Sequence, residues 1–536
     1  MMRTVFVLFD SLNRGALEPY GSQSIQTPNM TRLAERAVTF DQHFVGSLPC
    51  MPARRDLHTG RLNFMHRSWG PLEPFDNSFP KLMSKAGIYT HLITDHMHYF
   101  EDGGNGYAQA FDSWEFVRGQ ENDPWHAIVE PRLAKLRSQF DPAHYDLPET
   151  GPATREAMSR WQWKKLRHAV NRQAIRAERD YPTVQCFERA IEFLARNRGA
   201  DDWFLQLEAF DPHEPFMAPD RFKAMYPTDW QGGILDWPQY ARAGGDTAQR
   251  AEIRSNYAAL VTMCDDQLGR LMDTFDILDL WKDTCLIVTT DHGYLLAEHE
   301  WWGKNRMPYY SEISHIPLMV CHPDMAERAG ARCTALTQTP DLMPSLLDLH
   351  GIAAPEECLG NSIWPMLRQA DPDRTVLFGQ FGGPLGLTDG RHLMFRYPRN
   401  VACEGLNEYT LSPQHMSSAF TIDELQGIAL VPPFNFTKSV QTLRIPARRD
   451  GIRPPGLADE FDCGVRTEIF DLVQDPGQSH PVNDPALEAR LLAAMMVHLH
   501  DNDAPAELHA FYGFDASPAR TTVNADRPEP VARHAR

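Results

Sequence analysis

The chain of 536 residues has no run approaching the ~18 consecutive apolar residues that a membrane-spanning helix needs. Its opening apolar run, Val5 to Phe9, stops at Asp10, and no small-residue cleavage site follows, so a signal peptide is not expected. Basic charge is in short supply, with 52 Lys and Arg against 71 Asp and Glu and a net charge of −19. A nucleic-acid backbone needs a basic surface, so nucleic acid is excluded as the main partner. The nine cysteines are odd in number and contain no C-x-x-C pair, which argues against a disulfide framework and for a reducing compartment. Internal repeats are absent as well. A cytoplasmic protein without membrane contact is expected, in which any anionic ligand meets a local cationic pocket.

What is present is a globular composition, 42% hydrophobic and 10% aromatic, in a chain long enough for two domains. Short apolar runs end abruptly in polar clusters. Val5–Phe9 runs into Asp10-Ser11, Tyr89–Ile93 into Thr94-Asp95-His96, Trp203–Phe210 into Asp211-Pro212-His213, and Leu286–Thr290 into Asp291-His292. Such runs suit strands buried on both faces of a parallel sheet. Helical patterns lie between them at 29–37, 79–86 and 251–275, and the alternation argues for an α/β sandwich. Ligands of open parallel sheets bind beyond the carboxyl ends of the strands, so the four clusters are expected on one edge.

After about residue 360 the texture changes to short strand-like segments (376–378, 392–395, 468–470) and a helical pattern over 485–500. The expected organisation is a catalytic domain over 1–360 and a smaller domain over 361–515. Insertions are expected near 123–182 and 403–460, and 516–536 reads as a mobile tail. The first insertion carries a basic helical stretch over 154–180 with eight Lys or Arg, readable as an anion or partner site or as a solvated, oligomer-facing helix. A homo-oligomer is expected.

One segment is more specific than the rest. Cys50 is followed by Pro52 at +2, Arg54 at +4 and Thr59-Gly60-Arg61 at +9 to +11. Pro52 suits a first helical turn and Gly60 a C-terminal stop, which puts Cys50 at a helix entrance where free N–H groups favour an anion. The bland alternative is a buried thiol before a short basic helix. The string resembles the signature of type I sulfatases of the alkaline phosphatase superfamily, which also contains phosphonate monoester hydrolases. Pro340–Asp348 and Phe470–Pro476 are similar to recurrent family segments too. The resemblance implies an alkaline-phosphatase-like α/β sandwich, with a large, mostly parallel sheet between helices and a C-terminal antiparallel sheet with a helix. It also implies that a formylglycine-generating enzyme oxidises Cys50 to formylglycine, whose hydrate is the nucleophile.

By the same resemblance, a divalent cation is held by Asp10, residue 50, Asp291 and His292. Taken singly, each Asp reads equally as a cap or turn residue. Most relatives have two aspartates where this chain has Asp10-Ser11, and many have Asn where it has His292. The site thus loses carboxylate charge and gains an imidazole, leaving Ca²⁺ (completed by water or Asn13), Mn²⁺ and Zn²⁺ open. Phosphonate monoester hydrolases also tend to have Asp-His there.

Lys304 matches the family lysine on the transferred group, with a surface lysine as the alternative. His213 matches a general acid for the leaving alcohol, with a packing histidine as the alternative. The usual Gly-Lys-Trp-His is replaced by Thr94-Asp95-His96-Met97-His98, so His96, or His98, stands for the histidine that deprotonates the hemiacetal. Arg54 and Lys304 are expected to hold transferred charge. The implied activity is sulfate monoester hydrolysis. Phosphonate monoester or phosphodiester hydrolysis is the alternative on the same scaffold, and an unmodified, catalytically weak binding protein is the alternative of another class.

Overall fold

The computed structural model describes residues 2–104, 106–149, 153–449 and 457–514. The 516–536 segment read as a tail lies outside the described residues.

Eight strands form the main sheet: β1 (Arg3–Phe9), β2 (Val38–Phe44), β3 (Tyr89–Thr94), β4 (Ser113–Phe116), β5 (Trp203–Ala209), β6 (Thr284–Thr290), β7 (Leu318–Cys321) and β8 (Arg332–Gln338). Their spatial order is β8-β2-β7-β6-β1-β5-β3-β4. Only β7 runs antiparallel to its neighbours. Strand β1 sits centrally, pairing in parallel with β5 and β6, and β3 pairs in parallel with β5. In register, Phe9 lies between Ala209 and Thr290, and Thr94 lies opposite Glu208. The four polar clusters therefore leave the sheet side by side at one edge.

The period of two along β1 explains the two layers. Val5, Val7 and Phe9 face one core, which also takes Met30 and Leu33 of α1 (Pro28–Ala34), and residues of α5 (Pro182–Arg196) and α6 (Thr247–Leu278). Phe6 and Leu8 face the other, with Met51 and Leu57 of α2 (Cys50–Thr59), Phe79 and Met83 of α3 (Phe79–Lys85), and Leu346 of α7 (Leu342–Leu349). Helix α6 is longer than its periodicity suggests, because Asp246 caps it through Gln249 N–H and Asp279 in the left-handed region ends it.

Four antiparallel strands, β9 (Val376–Gly379), β10 (Leu385–Thr388), β11 (His392–Arg396) and β12 (Thr467–Asp471), form a second sheet in that order. Helix α8 (Pro485–Asp501) packs on it through Leu491, Met495 and Leu499. The fold is thus the alkaline-phosphatase-like sandwich with a smaller antiparallel sheet. Among the described residues no helix is long and apolar enough to cross a membrane.

The basic stretch expected over 154–180 is not one helix. Its regular part, α4 (Arg160–Asn171), begins where Ser159 and Gln162 form a capping box, and a new helix starts with Pro182 at its first position.

Candidate active site

Helix α2 is buried along its whole length, Arg54, Arg55, Asp56 and His58 included. Its polar side chains are accordingly paired. Arg55 forks onto Asp76 at 2.8 and 3.2 Å, and Asp56 accepts from Ser47 and Asn63, although burial still pushes its carboxyl up to about 7. Gly60, at φ 66°, closes the helix with its N–H on Asp56 O. Cys50 thus starts the helix at the carboxyl edge of the sheet, aimed at the ends of β1 and β6.

There, ligand atoms of Asp10, Cys50, Asp291 and His292 all lie within 4.8 Å of one another, and all four residues are buried. Cys50 Sγ is 3.3 Å from His292 Nε2 and 3.9 Å from Asp10 Oδ1. Ser11 takes a left-handed turn at φ 62°, which points its N–H at Asp291 Oδ1 (3.1 Å). Its hydroxyl donates to Asp10 Oδ1 (2.8 Å) and accepts from Lys304 Nζ (2.8 Å). Ser11 is thus a neutral relay between a lysine and a carboxylate.

Arg54, one turn along α2 from Cys50, donates to three carboxylates: Glu208 at 2.5 Å, Asp291 at 2.6 Å and Asp10 at 2.9 Å. All four of these side chains are out of contact with solvent. Burial alone would raise the Asp10 carboxyl, but Arg54, His213, Lys304 and His292 together hold it well below the usual range. For the Cys50 thiol, burial and then the Asp10 charge push the other way, and it sits well above its ordinary value. An unmodified Cys50 is therefore a neutral thiol and a poor nucleophile.

Above this floor is a cavity of about 330 Å³, and Cys50, His213, Lys304 and His98 are on its wall. Burial would lower the Lys304 ammonium, but the Glu214, Asp10 and Asp291 carboxylates raise it, so it is firmly charged. His213 donates its Nδ1–H to Glu214 O, and burial followed by the Lys304 charge lowers the imidazole well below its ordinary value. His98 Nδ1 is 2.7 Å from Glu101 and its Nε2 is 3.5 Å from Glu121. His96 lies deeper, 4.0 Å from Asp10 Oδ2, with neither ring nitrogen hydrogen-bonded. Burial, then Arg54, keeps it neutral. Asn13 is not brought to the cluster, because its amide caps Gly15 N–H and donates to Tyr294 O.

A model of the sulfatase family matches residues 3–352. The chain belongs to the sulfatase family. It is a sulfuric ester hydrolase of the alkaline phosphatase superfamily. It is 26% identical over 412 residues to the multifunctional alkaline phosphatase superfamily protein PehA of Trinickia caryophylli, covering 70% of this chain and 77% of that one. It is also 26% identical over 401 residues to the N-acetylglucosamine-6-O-sulfatase of Bacteroides thetaiotaomicron, covering 68% and 70%. The phosphonate monoester hydrolase of Agrobacterium radiobacter shares the fold, with a TM-score of 0.58 at 17% identity over 94% of this chain and 95% of that one.

Sulfatases as a family use a divalent cation, and the donor chemistry of this sulfatase fits one. His292 Nδ1 is 2.9 Å from Gly293 O, a donation that leaves the Nε2 lone pair facing Cys50 and Asp291, the usual posture of a metal-binding imidazole. Arg54 and Lys304 are two cations among the three carboxylates of Asp10, Asp291 and Glu208, so the buried cluster keeps negative charge that a cation offsets.

Sequence reading missed Glu208, Tyr99 and Glu214. Glu208 accepts from both Arg54 and the Tyr99 hydroxyl (2.8 Å), and Glu214 accepts from Tyr240. A glutamate inside the mostly apolar run 203–210 was the available signal, since a buried charge needs a partner. The basic helix α4 also reaches the site: Arg160, Trp161 and Lys164 line the cavity, and Lys164 is tied to Glu121 at 2.8 Å.

Proposed function

We propose that this sulfatase hydrolyses sulfate monoesters through a nucleophile made from Cys50 by oxidation to formylglycine. Asp10, residue 50, Asp291 and His292 would hold the divalent cation. The observation that carries the reading is the buried cluster of those four residues under a cavity walled by His213 and Lys304. A bound cation supplies charge neutralisation at the sulfuryl oxygens and favours the ionised form of a coordinated hydroxyl. The oxidised residue 50 would supply a geminal diol, one hydroxyl to attack sulfur and the other to expel sulfate as the carbonyl re-forms.

The remaining roles fall to the chain's own groups. Lys304, kept charged by its carboxylate neighbours, takes a sulfuryl oxygen. Arg54 acts through Asp10 and Asp291, fixing both carboxylates in place. His213 has its Nδ1 anchored to Glu214 O, so Nε2 is the atom that gives a proton to the leaving alcohol. Since burial favours the neutral ring, Nε2 takes that proton from solvent as the anionic ester arrives. His96, neutral and 4.0 Å from Asp10, takes the proton from the second hydroxyl, and His98 orients the substrate from the wall.

A second reading, phosphonate monoester or phosphodiester hydrolysis, is favoured by the imidazole ligand His292 and by the likeness to a multifunctional superfamily protein. Hydrolysis of an aryl sulfate and an aryl phosphonate by the metal-loaded, modified protein decides between them. A kcat/KM higher for the phosphonate by orders of magnitude rejects the sulfate assignment.

A further inference from the structure

One strong donor on the cavity wall has no partner. Arg306 lines the cavity two residues beyond Lys304, and among the described residues no hydrogen bond or ion pair holds its guanidinium. Its Nε is buried without an acceptor. A buried, unsatisfied N–H is costly unless something supplies the missing acceptor. The neighbouring charges do not. Lys164 is engaged by Glu121, Lys304 by Ser11 and His98 by Glu101, while Glu214 accepts from Tyr240 on one oxygen and its other, without a hydrogen bond, lies 3.9 Å from Lys304 Nζ and forms no ion pair with Arg306.

The rest of the wall has a different character. Trp69, Trp161, Trp237 and Tyr240 present aromatic surface to the same cavity. Flat faces of this kind suit a ring, and a guanidinium suits a planar or tetrahedral oxyanion that it grips with two N–H groups. The transferred group is accounted for by Lys304 beside Cys50, so the ring belongs to the leaving alcohol.

We propose that Arg306 is a specificity-determining residue that binds a second anionic group, a carboxylate or a second sulfate, on the ring of the leaving alcohol. The inference rests on the ester-hydrolase reading above. The preferred substrates are then sulfate esters of acidic ring alcohols, and neutral ring esters are poorer.

The test compares phenyl sulfate, 3-carboxyphenyl sulfate and 1,3-phenylene disulfate as substrates of the full-length, modified protein and of its Arg306→Ala and Arg306→Lys variants. In parallel, calorimetry measures binding of the corresponding inert sulfonates: benzenesulfonate, 3-carboxybenzenesulfonate and benzene-1,3-disulfonate. A charge-assisted, two-pronged contact should favour an acidic ring by about tenfold or more in both kcat/KM and Kd. Arg306→Ala should collapse that ratio and Arg306→Lys should keep part of it, and the better of the two acidic rings identifies the anion. An unchanged ratio in Arg306→Ala overturns the proposal. So does an equal loss on all three esters, which would put Arg306 on the transferred group. Arg306-dependent sulfonate binding without hydrolysis of any ester would support the anion site and sink the hydrolase reading. Hydrolysis without the ratio would do the reverse. Should Arg306→Ala fold poorly, Arg306→Gln, with its shorter neutral amide, carries the same comparison.

Discussion

Replacing Arg54 by Met tests the floor of the site in a way that separates scaffold from substrate contact. The guanidinium is bonded to Glu208, Asp291 and Asp10 at 2.5–2.9 Å, and all four side chains are out of solvent. Removing one partner of a buried ion pair costs about 3–5 kcal/mol, chiefly because the remaining charge is left uncompensated. Here three carboxylates are stranded, so the upper part of that range is expected at neutral pH. The sign of the pH dependence follows from Asp10. In the native protein its carboxyl is depressed, so its contribution is present above the unfolded carboxylate pKa and is lost as pH falls through the folded value. Without Arg54 the burial cost loses its largest offset, only His213, Lys304 and His292 still oppose it, and the folded pKa moves up. The gap between native protein and variant therefore widens as pH rises from the depressed native value of Asp10 to its higher value in the variant, and is level above that. Thermal unfolding monitored at pH 5 and pH 8, with chelator and with added metal, measures it. Adding Glu208→Gln to the variant should recover part of the loss, since one stranded charge is gone. A variant with an unchanged melting temperature and only a raised KM would refute this account and make Arg54 a substrate contact.

Three further outcomes are expected. His213→Ala should lower kcat by about 10²- to 10⁴-fold on alkyl sulfates and far less on nitrophenyl sulfate, whose leaving group needs no proton. In the native protein the alkyl-ester rate should fall as pH rises through the His213 pKa, and that limb should vanish in the variant; identical losses on both esters would remove the general-acid role. His292→Asn, which exchanges an imidazole for an amide oxygen, should shift reactivation after chelation toward Ca²⁺ and away from Zn²⁺; an unaltered metal preference would take His292 out of the ligand set. Lys165 is buried among Tyr145, Trp161 and Trp237 at 4.4–5.0 Å from their rings, and it donates to Trp237 O. Lys165→Met should leave thermal stability nearly unchanged, whereas Lys165→Ala, which opens a void under the cavity wall, should cost about 2–4 kcal/mol.

The strand ends were legible because each apolar run stops at its chemistry: Phe9 before Asp10, Thr290 before Asp291. The parallel register of β5, β1 and β6 then had only to align them. Cys50 was legible because Pro52, Arg54 and Thr59-Gly60-Arg61 follow it in the register of the sulfatase signature, and the helix they suggest is formed. Arg54's partners were not, because Glu208 lies 154 residues away and no local period links the two. The part played by α4 stayed open for a related reason. Arg160 and Lys164 read the same on a solvated face as on a cavity wall, and only the packing of Trp161 and Trp237 distinguishes the two. Ser11 reads as a missing ligand in sequence. Its left-handed turn gives it another task, linking Lys304 to Asp10.

The central claim is that residue 50 reacts as formylglycine. The direct measurement is the mass of the tryptic peptide that ends at Arg54, taken from protein made alongside a formylglycine-generating enzyme, with sulfatase activity assayed on the same sample. The account predicts a peptide in which a carbonyl oxygen has replaced the thiol sulfur and two hydrogens, with activity proportional to that fraction. Full activity in a sample whose Cys50 is an intact thiol would contradict it.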